Sequence, residues 1–172
     1  ALVETNGDEE QAIVILLLNG PATAEKRGER ATSEGKVGAY VHGGKIGVLV
    51  EVGCETDFVA RNEIFEGLVN DLFMLVAAMN PMAVRREDIP EDVIQREKEI
   101  YAAEDTVKDK PPQVAEKIIE GKLSKFFQEN VLLEQNFIKE SKMTVLDRVN
   151  EVIGKTGENI QVKRFVRFAM GD

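Results

Sequence analysis

The chain has 172 residues, 31 of them acidic against 22 Lys and Arg, giving a formal charge of -9, with one Cys, one His and no Trp. That length supports one domain, or one domain with a small appendage, and 43% hydrophobic with 31% charged residues is the balance of a soluble globular protein. A lone Cys excludes an internal disulfide and any Cys-rich metal site, a lone His excludes His-pair metal sites, and the acidic excess argues against general nucleic-acid binding.

In chain order, Asn6-Gly7-Asp8 reads as a turn with Asp8 capping a helix, and Glu9 and Glu10 stand where the helix dipole favours acids. The longest aliphatic run, Ile13 to Leu18, falls far short of the roughly 20 apolar residues of a membrane-spanning helix. The residues before it are acidic, the opposite of a signal peptide. Asn19-Gly20-Pro21 stops this helix, and residues 21–36, small and charged, read as a linker. The chain begins at Ala1, which is read as a removed initiator Met or a missing N-terminus.

Two β-rich runs follow, Val37 to His42 and Lys45 to Val52, joined by Gly43-Gly44, which supplies the positive φ of a tight hairpin. Ile46, Val48, Val50 and Val52 share one face of the second strand. A long helix is predicted next, with Ile64, Leu68, Leu72, Val76 and Met79 as its apolar stripe and Asn80-Pro81 as its end. Pro90 suits the first turn of another helix, with Val93, Ile94 and Ile100 as buried candidates. Beyond Pro111-Pro112 comes a helix carrying Val114, Ile118, Leu123 and Phe126. Thr144 with Asp147 forms a cap-like start for a helix with Leu146, Val149 and Ile153 on one side, closed by Gly154 and Gly157. Residues 159–169 read as a final strand that pairs with the early hairpin, since a lone strand is unstable. The class is α+β: an N-terminal helical segment, then a small antiparallel sheet (hairpin 37–52 plus strand 159–169) packed with several helices.

Cys54, His42 and Asp57 supply the residue types of a thiol triad, but nine strand steps of ~3.3 Å put Cys54 about 30 Å from His42. A nucleophile and its base must be within hydrogen-bond reach, so catalysis by this trio is disfavoured. Cys54 is then expected to be a small, partly buried apolar residue and His42 an exposed turn residue. Lys163, Arg164 and Arg167 read as a solvated strand face with local ion pairing, and Phe165 and Phe168 as core.

The segment Glu51-Val52-Gly53-Cys54-Glu55-Thr56-Asp57-Phe58-Val59-Ala60-Arg61-Asn62 stands apart. Read locally, Thr56 caps a helix, Asp57 sits in its first turn and Phe58 is a core residue. The segment also resembles the signature of the elongation factor Ts family, a strand ending in a small-residue and Cys step followed by Thr-Asp-Phe-Val. Glu34-Gly35, Gly43-Gly44, Pro90, the run Lys117 to Leu123, Leu132-Leu133-Glu134-Gln135 and Gly157-Glu158-Asn159-Ile160 resemble that family in the same order. The resemblance covers nearly all of residues 34–171. Gly53 departs from it, standing where the family usually has Asn, and implies a looser strand exit. The family's opening Leu-Arg and Thr-Gly motif is absent as well.

The resemblance implies guanine-nucleotide exchange on elongation factor Tu, GDP-bound and nucleotide-free, as a binding protein rather than an enzyme and with no cofactor of its own. It implies a site at Thr56, Asp57, Phe58 and Val59, in which Phe58 inserts as an aromatic wedge and Asp57 helps disturb the bound Mg²⁺ of elongation factor Tu. It divides the chain into a remnant of an N-terminal helical (UBA-like) domain at 1–20, a linker at 21–36 and a core and dimerisation domain at 37–172. A homodimer is the further partner implied, with no direct nucleic acid and no membrane. The compartment implied is a bacterial cytoplasm, or an organelle matrix or stroma. The competing reading is a truncated core that acts as a dimerisation or scaffold module without exchange activity.

Overall fold

The computed structural model describes residues 28–172, so the predicted helix beginning at Asp8 and the first part of the linker, 21–27, lie outside the described residues. Strands β1 (Glu34–His42) and β2 (Ile46–Cys54) form the expected hairpin, paired from Glu34↔Cys54 to His42↔Ile46. The Lys45 N–H closes the Gly43-Gly44 turn on the His42 carbonyl at 3.0 Å, as a two-residue turn requires, and strand pairing resumes one residue later, at His42↔Ile46. Gly43 and Gly44 both take positive φ, 55° and 69°, as the sequence required. β1 begins at Glu34, inside the stretch that composition alone assigns to the linker.

Strand β5 (Gln161–Ala169) joins the far edge of β2, giving an antiparallel sheet of order β1-β2-β5. Alternation then sorts the two faces. Val48, Val50, Val52 and Val162 are buried on the inner face, with Tyr40, Ile46 and Phe165 packed against that core. Phe168, expected in the core, is 71% exposed: three residues beyond Phe165, it falls on the opposite face. The basic cluster pairs locally as expected, Arg164 Nε 2.6 Å and Lys163 Nζ 4.0 Å from the Glu51 carboxylate, but it is not one solvated face: Arg167, opposite Val48 on the inner side, is only 13% exposed, donates to the Ala77 carbonyl at 3.4 Å and pairs with Asp172 at 3.0 Å.

A single-turn helix, α1 (Asp57–Ala60), leads from the sheet into α2 (Glu63–Met79), which lies across the inner face. Phe65, Leu68, Val69, Leu72, Leu75 and Val76 of α2 are buried. The predicted stripe holds at Leu68, Leu72 and Val76 but fails at Ile64 and Met79, which are exposed. At roughly 100° per residue Ile64 lies about 40° short of Leu68, at the rim of the buried arc, whereas Met79 is in line with Leu68 and Leu72 and is exposed as the last residue of the helix. Asn80, at φ 46°, stops α2 in the left-handed conformation.

Two helices, α3 (Glu91–Ala103) and α4 (Pro112–Asn130), pair with one another and bury a smaller cluster of Ala83, Ile89, Phe126 and Val131 at their base. Pro90 is the residue before α3, one position earlier than predicted. Val93 and Ile94 pack against the small cluster, whereas Ile100 and Val114 are exposed, since they lie along the arm away from its base. A short hairpin of β3 (Asn136–Phe137) and β4 (Glu140–Thr144), unforeseen from the sequence, follows; Lys139 in its turn pairs with the buried Asp71 of α2 at 2.6 Å. Helix α5 (Val145–Thr156) opens on the expected Thr144–Asp147 capping box and ends at Gly157, φ 77°. Its Val149, Val152 and Ile153 are buried and Leu146 is exposed. The order of hairpin, helices and closing strand makes the fold α+β, as expected.

Candidate functional site

The Thr56–Val59 segment is a tight corner between the end of β2 and the start of α2. Thr56 is extended (φ -128°, ψ 156°) and its Oγ1 accepts the Val59 N–H at 3.4 Å, the cap that starts α1. The Ala60 N–H reaches the Thr56 carbonyl and the Asn62 N–H reaches the Val59 carbonyl, closing the turn. Asn62 then caps α2, its Oδ1 accepting the Ile64 N–H at 2.8 Å. Within this single turn the side chains fan out at 100° intervals. Val59 points into the core at 9% exposure, and Phe58, the next side chain round, is 84% exposed. The local reading of Phe58 as a core residue is therefore wrong. Asp57 pairs with Arg61, one turn on, at 3.1 Å; both are open to solvent.

The corner is held from behind by the Glu158-Asn159 dipeptide that follows α5. Glu158 Oε2 accepts the Glu55 N–H at 3.1 Å and the Thr56 N–H at 3.0 Å, while its Oε1 accepts the Thr56 hydroxyl at 2.6 Å. Glu55 returns the arrangement: its carboxylate accepts the Asn159 N–H at 2.6 Å. The buried Asn159 side chain donates to the Arg30 carbonyl at 2.7 Å, and Lys163 Nζ donates to the Thr32 carbonyl at 2.7 Å, so the segment before β1 is strapped to the same place. This clasp was missed in the sequence. The signal was present as a helix-stopping Gly157 followed by a carboxylate and an amide immediately before a strand, but nothing local names their partners a hundred residues away.

Cys54 is fully buried beneath the corner and its thiol donates to the Thr56 carbonyl at 3.2 Å. Burial, reinforced by the nearby Glu158 carboxylate, pushes the thiol pKa up to about 11. His42 pairs with Ile46 at the opposite end of the hairpin, with its Nδ1 2.8 Å from the Tyr40 hydroxyl. The thiol triad is thus ruled out by geometry. At pH 8 only about a thousandth of a thiol with that pKa is thiolate, so Cys54 is expected to resist a disulfide exchange reagent in the folded protein. Titration with and without urea checks this; one thiol reacting within seconds without urea would contradict it.

Among the described residues, no group of three or more His, Cys, Asp or Glu gathers as a metal site, and no helix is long and apolar enough to cross a membrane. The family profile described as Elongation factor TS matches residues 24–172. The protein named Elongation factor Ts in Geobacter sulfurreducens is 53% identical over 173 aligned positions, covering 100% of this chain and 80% of its own. Those of Thermotoga neapolitana and Moorella thermoacetica are each 56% identical over 173 positions, covering 100% of this chain and 87% and 85% of theirs. The chain belongs to the elongation factor Ts family.

The blocks that carried the elongation factor Ts resemblance now have physical reasons. Gly35 sits at φ 148°, and a Cβ there would lie 2.2 Å from the Val52 carbonyl oxygen, so only glycine lets β1 start so close to β2. Leu132-Leu133-Glu134 forms the turn that returns α4 to the core, and Gln135 is buried beside it. At Gly53, the departure from the elongation factor Ts pattern does not loosen the strand exit: a Cβ would meet Lys163 Cε at 2.6 Å and Thr32 Oγ1 at 2.9 Å, so the space is filled by the strap.

Proposed function

We propose that this chain binds elongation factor Tu, in its GDP-bound and nucleotide-free forms, and promotes GDP release, with Phe58 as the inserted side chain. The observation that carries the reading is an aromatic ring 84% exposed on a turn that is held by the Thr56 cap and by Glu158. A Phe side chain left in water forgoes roughly 1.5–3 kcal/mol of burial, which a pocket on a partner restores. Because the turn is fixed by two caps and by Glu158, little freedom is lost when the ring is buried. Thr56 and Val59 serve by shaping the turn, one through the cap and the other through the core.

Asp57 is the residue proposed to disturb the Mg²⁺ of elongation factor Tu. Its pairing with Arg61 is exposed and releases for less than about 1 kcal/mol, leaving the carboxylate free to act on the partner. Mg²⁺ bridges phosphate oxygens, so weakening its hold removes the largest local countercharge and loosens the diphosphate. The chain does this without covalent chemistry, as a coupling of binding energies: the factor by which it weakens GDP is the factor by which GDP weakens it.

The outer sheet face supports the homodimer as a further part of this reading. Val37, Val41, Leu49, Val166 and Phe168 are exposed there, on all three strands, an apolar surface a second copy would cover. Size-exclusion chromatography tests both associations. The chain alone is expected to elute as a dimer and Leu49→Lys as a monomer, while elongation factor Tu is expected to co-elute with the chain until excess GDP is added. Self-association with no nucleotide-sensitive complex would leave the scaffold reading in its place.

A further inference from the structure

We propose that Glu158 is a positioning residue for exchange, presenting Phe58 through the Thr56 corner. This rests on the reading of Phe58 as the inserted side chain.

The warrant is the directionality of the contacts. A corner that projects a ring into solvent must satisfy the backbone donors it turns away from the sheet, and here the Glu55 and Thr56 N–H groups point at one carboxylate oxygen, at 3.1 and 3.0 Å. The second oxygen takes the Thr56 hydroxyl at 2.6 Å, which orients Oγ1 so that its lone pair faces the Val59 N–H. The cap that starts α1, and with it the direction in which Phe58 leaves the backbone, is therefore set by a residue 102 positions away from Thr56 in sequence. Glu158 is itself fixed by its neighbour, since the Asn159 N–H is held by the Glu55 carboxylate at 2.6 Å and the Asn159 amide by the Arg30 carbonyl. Two carboxylates on separate segments each accept the other segment's backbone N–H. Charge-assisted bonds of this kind are about twice as strong as neutral ones.

Chemistry distinguishes two substitutions. In Glu158→Gln the amide oxygen has two lone pairs, enough for both N–H groups, and the NH₂ can donate to Thr56 Oγ1. In Glu158→Ala both N–H groups lose their acceptor and the Thr56 hydroxyl is free to rotate.

The test is a double-mutant cycle with Phe58, reading the maximal rate at which saturating chain releases a fluorescent GDP analogue from elongation factor Tu. Glu158→Ala is expected to lower that rate on the order of tenfold, the coupling of groups in one network, and Glu158→Gln to restore most of it. In a Phe58→Ala background, adding Glu158→Ala is expected to change the rate less than twofold, because there is no ring left to aim. Equal loss in both backgrounds overturns the positioning role, as does full activity in a folded Glu158→Ala protein. Should Phe58→Ala alone leave exchange intact, the reading of Phe58 fails instead. If Glu158→Ala does not fold, the same cycle run with Thr56→Val, which removes the hydroxyl that Glu158 orients, decides the matter by the same outcomes.

Discussion

Phe58→Ala is expected to reduce the acceleration of GDP release by about a hundredfold while leaving thermal stability unchanged. The size follows from what the residue would do when docked: truncating a central aromatic anchor typically costs 2 kcal/mol or more of binding, and roughly 2.7 kcal/mol is two decades. The absence of a stability effect follows from the free structure, where the ring is 84% exposed and its removal costs the core nothing. Stopped-flow release of a fluorescent GDP analogue measures the first and a melting curve the second. Equal acceleration by the variant would remove Phe58 from the mechanism; a fall in melting temperature of several degrees would mean that the ring packs on the protein.

Phe65→Ala is expected to do the reverse. Seven residues on, this ring is fully buried in the main core. Its truncation leaves a cavity and loses the transfer energy of a large side chain, together about 3–5 kcal/mol. Against a total of roughly 5–15 kcal/mol for a domain, that is a major part of the stability. At this length each kcal/mol moves the midpoint about 2–4 °C, so a fall of about 10 °C is expected. Urea unfolding followed by circular dichroism checks it, and a change below about 1 kcal/mol would contradict a tightly packed layer between α2 and the sheet. At temperatures where the variant remains folded, exchange should persist, because Asn62 still caps α2 and the corner keeps its hydrogen bonds.

These two phenylalanines also mark what was legible in the sequence. Phe65 lies in a seventeen-residue helix whose apolar spacing defines a buried side, one residue round from the predicted Ile64. Phe58 lies in a four-residue helix, too short for any periodicity to say which way a side chain points. The features read correctly are local ones: the glycine turn, the Thr144–Asp147 box, the Asn80 stop, the alternation in β2 and the Thr56 cap. The last strand was placed correctly because it had to find a partner, and β2 had a free edge.

What was not legible is long-range or marginal. The Glu158 clasp joins segments more than a hundred residues apart. The two residues of β3 are too few for an alternation to show, and Phe168 is not core because a spacing of three from Phe165 sends the two rings to opposite faces. Nor does helical spacing show where an arm leaves the body, which is why Ile100 and Val114 are exposed although their spacing suits a core. The corner's hydrogen bonds turn a short motif into a projecting ring, and that projection is what the exchange reading depends on.

The most direct test is to mix this chain, at rising concentration, with elongation factor Tu carrying a fluorescent GDP analogue and an excess of unlabelled GDP, and to follow release in a stopped-flow instrument. The release rate is expected to climb with chain concentration to a plateau far above the spontaneous rate. A rate that stays at the spontaneous value at saturating chain, with the complex formed, would contradict the exchange reading.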